Sequence, residues 1–515
     1  MTGRNVTFLV LALGASSATA QRPPTVDTVV VETLPVFDGP RDSLVWYERA
    51  ANGMRVTTRA WIVRRELLFA AGEPYDSARV AESARQLRAL GVFRSVEIDS
   101  LRIDGRLAVR VRTGDGWSTR PTLNFRSAGS EFILSAGLAE QNFLGTATRA
   151  RALYQHTPDR DALRLGLLNP HTLGSTVETD VEYERLSDGE RGGIRVQPHH
   201  VPLSARRGFG VVGEIGTTTL LQFRETELAA TFRRRVTFAG GTLGWAPHAD
   251  SRGYVRLFAS AQIRREDIVP DTIATFPRTV TGAIGVGLEY RHARFLLIER
   301  YNSFGQREDV DLSTVLRGEL RVAPQAFGYA RTAAGPAGHA QTGGMWRGGF
   351  FRLAVEGHAL FRGTAVDSGR VVGSGTIVVR VLPRQTLILA GRVGAAKNPV
   401  PSEEFDLGLG EGPRGFGTHA FTGTRMAWVT LEHRVFLIDE WLRLVGIGVA
   451  AFADYGGAWF AGDPERFGGS VGIGLRLGSP RSTRGSMGRV DLAYTFGDGA
   501  GGGRWALVLG RSQLF

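Results

Sequence analysis

A strict two-residue alternation runs through Val471-Gly472-Ile473-Gly474-Leu475-Arg476-Leu477, and it returns in Val490-Asp491-Leu492-Ala493-Tyr494-Thr495-Phe496. Successive side chains of a β-strand point to opposite faces, so each segment predicts a strand with one apolar face and one small or charged face. Similar segments recur over hundreds of residues beside polar loops. We therefore predict an all-β transmembrane barrel that is apolar outside and wet inside.

The N-terminus has the pattern of a secretory signal peptide. Arg4 gives a positive end, residues 6–13 form a short apolar core, and Ala18-Thr19-Ala20 form a small-residue cleavage site. We expect residues 1–20 to be removed, so that the mature chain starts near Gln21. The apolar core is too short to span a bilayer as a helix, which takes about 20 residues.

No longer uninterrupted apolar stretch follows the signal peptide. Only helices and closed barrels satisfy every backbone group in lipid, so an exported membrane protein without apolar helices is expected in the outer membrane of a diderm bacterium. A secreted, β-rich soluble protein is the alternative interpretation.

The composition excludes several classes of site. The chain has no cysteine, so neither a disulfide nor a thiolate metal site is available. The net charge of +12 is almost entirely arginine, because Lys397 is the only lysine. Such a high ratio of arginine to lysine reflects genomic base composition. We therefore expect no nucleic-acid partner. The 68 glycines suit a barrel with small side chains in its lumen.

Residues 21–116 differ in character from the rest of the chain. The predicted elements are, in chain order, a strand within residues 26–36, a helix over residues 58–71 that stops at Gly72, a helix from Asp76 to Gly91, and strands around residues 96–98 and 107–111. No helix is predicted before residue 57. This order predicts a small periplasmic α/β module.

Residues 117–515 are assigned to the barrel, because the helical signal vanishes there. At about 25 residues for each strand with its connection, the stretch accommodates about 16 antiparallel strands. The segmentation is ambiguous between residues 190 and 350, and the sequence allows about sixteen to nineteen strands. Residues 324–346 read as a loop rich in glycine and alanine.

Several segments resemble motifs of a known family. Residues 65–75 (RELLFAAGEPY) and 87–93 (LRALGVF) look like a POTRA domain, the polypeptide-transport-associated module. Motifs of the BamA/TamA superfamily, also called the bacterial surface antigen family, are similar to Asn142-Phe143-Leu144-Gly145, Gly412-Pro413-Arg414-Gly415-Phe416 and Phe452-Ala453-Asp454-Tyr455-Gly456. The resemblance implies a single periplasmic POTRA domain and a barrel of about sixteen strands that inserts or translocates other polypeptides.

Strand parity predicts where Asp454 points. Apolar Val445, Ile447 and Val449 fall on one face of their strand, and Asp454 falls on the other, which faces the lumen. Arg414 lies on a long glycine-flanked loop, which can fold inward and bring the guanidinium to Asp454 in a charge-assisted pair. The alternative is an ordinary surface loop with a solvated arginine.

The resemblance adds further roles in the lumen. It implies that the loop with Arg414, Gly415 and Phe416 tucks into the barrel, that Glu432 is a second acidic partner and that Phe452 stacks near Arg414. Gly415 would let the backbone turn tightly. Pro413 departs from the aliphatic residue usual in the family, which predicts a stiffer entry to the loop.

The last strand resembles the family's terminal signal imperfectly. Trp505, Leu507, Leu509 and Phe515 share one face, but Arg511 and Gln513 interrupt it. The resemblance implies a weak seam between this strand and the first strand, at about residues 119–127, that opens sideways so that an incoming strand can pair with its edge. Gly510 either loosens this seam or merely fits a crowded position.

We expect no catalytic residue, metal, cofactor or enzymatic activity. Gly468-Gly469-Ser470-Val471-Gly472 matches a nucleophile elbow, but it opens a barrel strand and not a strand-to-helix turn. His199-His200 is expected to face solvent, because no acidic or histidine partner lies nearby at ligand spacing.

The predicted function is outer-membrane protein assembly and insertion, or polypeptide translocation. Expected partners are unfolded outer-membrane or secreted polypeptides, membrane lipids, and periplasmic chaperones or lipoproteins. One alternative is a two-partner-type secretion pore for a dedicated exported protein, although such pores usually have two POTRA domains and an N-terminal plug helix. Another alternative is a passive porin or surface antigen.

Overall fold

The structure is a computed structural model of the chain. It describes residues 24–37, 39–128, 131–224, 226–270, 279–329, 331–380, 382–399, 403–409, 411–482, 487–499 and 503–511. The predicted signal peptide lies outside these ranges, as do Gln513 and Phe515.

An α/β unit, residues 24–116, precedes the barrel. Its elements are the strands β1 (Thr28–Leu34), β2 (Phe93–Ile103) and β3 (Arg106–Asp115) and the helices α1 (Trp46–Met54), α2 (Ala60–Arg65) and α3 (Ser77–Leu90). The sheet order is β1-β3-β2, with β1 parallel and β2 antiparallel to β3. Its core contains Ile62, Val63, Leu87, Val109 and Val111, each fully excluded from solvent.

The ends of α3 follow the sequence signals. The Asp76 side chain accepts a hydrogen bond from the Ala78 backbone N–H at 2.8 Å, and Gly91 ends the helix with φ of 68°. The predicted helix over residues 58–71 is longer than observed, because α2 ends at Arg65.

The expectation of no helix before residue 57 is wrong, because α1 occupies residues 46–54. The sequence gives little sign of this helix. Its N-cap position is Val45, which offers no capping side chain, and the helix is only 9 residues long, shorter than the window over which helical periodicity is recognised.

The barrel is closed and antiparallel, and it has twenty strands within the described residues. In chain order they are β4 (Thr119–Ala128), β5 (Glu131–Phe143), β6 (Thr148–His156), β7 (Asp161–Asn169), β8 (Val177–Leu186), β9 (Gly189–Pro198), β10 (Arg207–Arg224), β11 (Glu227–Asp250), β12 (Gly253–Pro270), β13 (Thr279–His292), β16 (Thr314–Ala323), β17 (Ala333–Trp346), β18 (Gly349–Arg362), β19 (Ala365–Val379), β20 (Gln385–Lys397), β23 (Arg425–Trp441), β24 (Val445–Trp459), β25 (Gly468–Gly478), β26 (Gly488–Gly497) and β27 (Arg504–Arg511).

Two short hairpins interrupt the barrel order. They are β14 (Phe295–Ile298) with β15 (Glu308–Asp311), and β21 (Phe405–Leu407) with β22 (Phe421–Gly423). We call residues 293–313, between β13 and β16, the rim insert, and residues 398–424, between β20 and β23, the inner loop. Short 3-10 helices cover Arg41–Ser43, Thr172–Gly174 and Gln325–Phe327. None of the helices in the described ranges is long and apolar enough to cross a membrane.

The predicted count of about 16 strands is wrong. The prediction allowed too many residues for each connection, whereas the connections at residues 187–188, 251–252 and 363–364 are two residues long. The predicted loop over residues 324–346 is also wrong, because β17 covers most of it. Small side chains suit this strand, since a Cβ atom on Gly335 would lie 1.9 Å from the carbonyl oxygen of Ala359.

The barrel wall sorts its side chains by parity, as the alternation predicts. On β13, Val286 is 63% exposed on the outward face, whereas Gly287 faces inward beside Phe258. Other strands carry an exposed apolar outer face as well. Examples are Leu243, Ile263, Leu320, Leu353, Val393 and Ile473.

Candidate functional site in the barrel lumen

The inner loop carries Arg414 into the lumen. The guanidinium binds Asp454 with two hydrogen bonds, from Nε at 2.7 Å and from Nη2 at 2.9 Å, and the Arg414 backbone N–H donates to the same carboxylate at 3.1 Å. Nη1 donates to Glu432 at 2.9 Å and to Asp491 at 3.1 Å. The Thr430 hydroxyl accepts from Nη2 at 3.1 Å. Arg414 is buried, so these contacts are made away from water.

Two further arginines join Arg414 in a buried ion cluster, and Arg489 lies at its edge, 3.8 Å from Asp491. Arg434 donates to Glu432 at 2.6 Å, and Arg476 contacts Glu432 at 3.0 Å and Asp491 at 2.5 Å. Both arginines and both carboxylates are almost wholly excluded from solvent. We call Arg414, Glu432, Arg434, Asp454, Arg476 and Asp491 the lumen cluster. Each carboxylate in it faces at least one guanidinium, which offsets the cost of burying charge.

The neighbours of Arg414 in sequence and in space shape the loop. The guanidinium carbon lies 3.5 Å from the ring centre of Phe452, a cation–π contact. Gly415 has φ of 87°, and a Cβ atom there would lie 2.9 Å from the Thr495 side chain, so glycine is needed for both reasons. Phe416 is buried and packs on Phe421 with ring centres 5.2 Å apart.

The sequence prediction brought Arg414, Glu432, Phe452 and Asp454 together, and the structure places these four side chains in one cluster. It missed Arg434, Arg476 and Asp491. A signal was present, because Arg476 and Asp491 occupy the inward parity of strands whose other inward residues are small. A charged residue at such a position predicts a partner across the lumen.

The inner loop also bonds to the first two barrel strands. Arg126 on β4 donates to the Leu409 carbonyl at 3.2 Å, and Thr418 donates through its backbone N–H to Glu131 on β5 at 2.7 Å. The lumen cluster lies on β23 to β26, so the loop joins both sides of the junction between the last and first strands.

Among the described residues, that junction has the fewest residue pairs of any two neighbouring strands in the barrel wall. β27 pairs with β4 through Val508 with Arg126 and Leu509 with Phe125, whereas β26 pairs with β27 over eight residue pairs. A hydroxyl bond from Ser127 to the Leu507 carbonyl at 3.3 Å adds to this seam. A Cβ atom on Gly510 would lie no closer than 3.8 Å to any neighbouring atom. A side chain would therefore fit at this position, so crowding does not explain the glycine.

The rim insert reaches the lumen cluster from the end that carries the α/β unit. Arg434 Nη1 donates to the Tyr301 carbonyl at 2.5 Å. Phe304 is buried and packs edge-on against Phe436, with ring centres 5.2 Å apart. On its other side the insert contacts α3, because Arg88 binds Asp309 at 2.5 Å. A continuous set of contacts therefore runs from α3 to the lumen cluster.

The α/β unit is bonded to the turns of the barrel. Asn142 donates to the Val56 carbonyl at 3.1 Å and to the Thr58 hydroxyl at 2.9 Å. Gly145 has φ of 73°, and a Cβ atom there would lie 2.5 Å from the Thr57 carbonyl oxygen. Two residues of the Asn142-Phe143-Leu144-Gly145 motif thus hold the unit against the barrel.

The expectation that His199-His200 faces solvent is wrong. His199 binds Glu178 at 2.7 Å, and His200 lies 3.7 Å from Glu82 on α3. Nearby, His171 and Glu66 form a buried pair at 2.9 Å. Glu82 comes from the α/β unit, and Glu178 lies 21 residues before His199 on β8, so spacing along the chain did not reveal them. No group of histidine and acidic residues in the described ranges has a geometry that could hold a metal ion.

A histidine fastens the inner loop at the far end of the barrel. His419 contacts Asp159 in the β6–β7 turn at 3.0 Å and Asp406 on β21, and its ring stacks on Phe223. Burial lowers the pKa of His419, but the hydrogen bonds to Asp159 and Asp406 outweigh burial and raise the pKa to about 9. The imidazolium is therefore the expected form at neutral pH.

These features define a closed antiparallel β-barrel whose lumen holds an inserted loop on a buried ion cluster. No protein-family model matches the chain, and no curated protein matches it. Among solved structures, CdiB from Escherichia coli aligns at 12% identity over 97% of this chain and 93% of that chain, with a TM-score of 0.46.

CdiB from Acinetobacter baumannii aligns at 10% identity over 95% of this chain and 74% of its own length, with a TM-score of 0.45. BamA from Haemophilus ducreyi lacking POTRA domains 1–3 aligns at 14% identity over 96% of this chain and 85% of that chain, with a TM-score of 0.42. Because these sequence identities and TM-scores are low, we draw the function from this chain's own residues.

Proposed function

We propose that the chain is an outer-membrane barrel that inserts or translocates other polypeptides by pairing their strands at the seam between β27 and β4. The seam carries the proposal: two residue pairs join it in the described ranges, and the inner loop bonds to strands on both sides of it. Unpaired backbone groups at a parted edge are a template for an incoming strand.

The apolar outer surface of the barrel is evidence that the barrel lies in lipid. In the closed barrel each strand has a neighbour on both sides, which is the condition for crossing a bilayer with strands, and in the described ranges the pairing is sparse at the seam alone. Its outward residues include Leu243 at 70% and Ile473 at 66% exposure. Apolar side chains exposed on nearly every strand suit acyl chains, which do not penalise them as water does.

The two inserts inside the lumen argue against a passive porin. The inner loop enters from the far end and the rim insert from the other end, and Arg434 binds both Glu432 and the Tyr301 carbonyl. An open channel has no use for a buried ion cluster that holds two inserts in place. A two-partner-type secretion pore would require at least the inner loop to leave the lumen.

We propose that the α/β unit is a single POTRA domain on the periplasmic side and that it receives clients before the seam does. Among the described residues its sheet has two free edges, because β3 lies between β1 and β2. An extended segment of an unfolded client can add to such an edge through main-chain hydrogen bonds. Unfolded outer-membrane or secreted polypeptides, lipids and periplasmic chaperones or lipoproteins are the proposed partners. We propose no chemical reaction and no cofactor.

The test is to replace Arg414 by alanine in the native host and to measure the folded amounts of its other outer-membrane barrel proteins. Loss of the guanidinium frees the inner loop, so we expect those amounts to fall. Arg347→Ala, on the exposed turn between β17 and β18, is the control and should change nothing.

Unchanged amounts of the other barrels, with the Arg414→Ala protein folded and present at its normal level, would contradict the proposal. Loss of one exported protein with all other barrels intact would instead identify a secretion pore for a dedicated protein.

A further inference from the structure

The helix α1 has its apolar face turned outward. Trp46 is 75% exposed and Met54 is 68% exposed, and both lie on one face because they are eight residues apart. Ala50, between them on the same face, is also exposed. The opposite face is buried and contains Glu48, which is 1% exposed. A surface helix normally shows the reverse arrangement.

The buried face of α1 is fastened to the turn between β23 and β24. Glu48 binds Arg443 at 2.7 Å, and the Tyr47 hydroxyl donates to the Leu442 carbonyl at 3.0 Å. The Val45 backbone N–H donates to Glu48 at 3.1 Å. These contacts fix the rotation of the helix, so the exposure of Trp46 and Met54 is built into the fold.

The exposed face of α1 continues into the outer surface of the barrel. The turn that holds α1 presents Trp441 at 53% and Leu442 at 58% exposure. A groove between α1 and the start of β4 is lined by Trp46 and Met54 on one side and by Pro121 and Leu123 on the other. Leu123 is outward-facing and 71% exposed. The apolar surface is therefore continuous from the helix to the outer wall.

We propose that α1 lies in the membrane interface, with Trp46 and Met54 inserted into the lipid leaflet nearest the α/β unit. The occupant is lipid because the helix face is continuous with a wall that we have proposed to be lipid-facing. Tryptophan favours the boundary between headgroups and acyl chains, and a helix lying flat there buries one apolar face. The inference rests on the proposed membrane location of the barrel.

Such an anchor sits beside the seam. The groove that α1 forms with β4 also includes Gly510 on β27. The α/β unit is thereby held at the place where we propose that clients enter the membrane, and lipid order next to the seam depends on α1.

The test uses single spin labels, because the chain has no cysteine to remove. Trp46→Cys and Met54→Cys are each labelled in vesicles of phosphatidylethanolamine and phosphatidylglycerol, and label accessibility is measured to oxygen and to a water-soluble nickel chelate. Val286→Cys on the outer face of β13 is the lipid control. Ser100→Cys on the exposed part of β2 is the aqueous control.

We expect the ratio of oxygen to nickel accessibility at residues 46 and 54 to be severalfold higher than at residue 100 and to lie between that value and the ratio at residue 286, because the interface is shallower than the acyl-chain region. A lipid value at residue 286 with aqueous values at residues 46 and 54 would overturn the inference and leave the location of the barrel intact. An aqueous value at residue 286 would overturn both. Labels at residues 46 and 54 that are immobile and shielded from both reagents would show a protein surface instead of lipid.

Folding does not confound this test. Both labelled positions are exposed, so neither substitution removes a core contact, and far-ultraviolet circular dichroism of each labelled protein, which reports the β-sheet and helix content, should match that of the parent. A labelled protein that has lost this signal is replaced by Ala50→Cys on the same helix face, for which the same ratio is expected.

Discussion

Arg414 contacts three carboxylates at once, and its removal leaves them in a buried site with Arg434, Arg476 and Arg489. Breaking a buried ion pair by removing one partner costs about 3 to 5 kcal/mol, because the remaining charge is uncompensated. The planar guanidinium suits this role, since its five N–H donors reach several acceptors in fixed directions.

Replacing Arg414 by alanine should therefore lower the free energy of unfolding by about 3 to 5 kcal/mol. Arg414→Lys should cost less, because the charge remains while the fork of donors is lost. Denaturant unfolding followed by tryptophan fluorescence measures both. The exposed Arg347→Ala change should stay within about 0.5 kcal/mol of the parent, and an equal loss in this control would contradict the assignment.

His419 should make the inner loop sensitive to pH. Its pKa is raised from 6.5 to about 9, so the imidazolium contributes stability that is fully present below pH 6.5 and is lost as the pH rises through about 9. Limited proteolysis of the inner loop between pH 6 and pH 10 should show increasing cleavage. His419→Gln should be cleaved at one rate across this range, and a parent protein that is equally flat would refute the prediction.

Strand parity and one sequence motif together predict half of the lumen cluster. Asp454 follows from the alternation of β24, whereas the roles of Glu432 and Phe452 come from the resemblance. Arg434 shares the inward parity of Glu432 and binds it, so alternation places it in the lumen, whereas its contact with the Tyr301 carbonyl in the rim insert was out of reach. Contacts between a strand and an irregular insert leave no period in the sequence.

The rim insert and the inner loop enter the barrel from its two ends. They are joined through Arg434 and Glu432, so a displacement of one insert changes the charge contacts of the other. The insert also binds α3 through Asp309 and Arg88. The client binding that we propose at the α/β unit would therefore have a physical route to the inner loop.

Replacing Phe304 tests how the rim insert packs against the barrel. Its side chain is 2% exposed, and truncation of a buried phenylalanine to alanine costs about 3 to 5 kcal/mol. We expect Phe304→Ala to show that loss in denaturant unfolding. Phe327→Ala, at a position 47% exposed, is the matched control, and a similar loss in both variants would contradict the packing role of Phe304.

The sequence predicts elements well where capping and alternation are strong, as for α3 and β13. It fails for α1, a helix of 9 residues without a capping side chain, and for β17, whose glycines and alanines are typical of a loop. Both failures have one cause: the partner that makes the element stable lies elsewhere in the chain. α1 depends on the β23–β24 turn, and β17 depends on pairing with β16 and β18.

At the scale of the molecule, alternation predicts a closed barrel but not its size. Closure follows from apolar outer faces on many strands. The number of strands depends on connection length, and two-residue connections leave no turn signal long enough to separate neighbouring strands. The seam is likewise invisible to periodicity, because it is a property of how the first and last strands meet.

The most direct measurement uses a disulfide to lock the seam between β27 and β4. Phe125 and Leu509 are opposite each other, and opposed antiparallel residues lie about 4.5 to 5.5 Å apart, within reach of a disulfide. Phe125→Cys with Leu509→Cys is compared with Leu475→Cys and Val490→Cys, which lock a register pair inside the wall. Both proteins are oxidised in vesicles and given an unfolded outer-membrane barrel protein, whose folded fraction is read from its gel mobility.

We expect the seam disulfide to abolish insertion and a reductant to restore it, while the wall disulfide leaves insertion unchanged. Full insertion by the oxidised seam variant would contradict strand pairing at the seam.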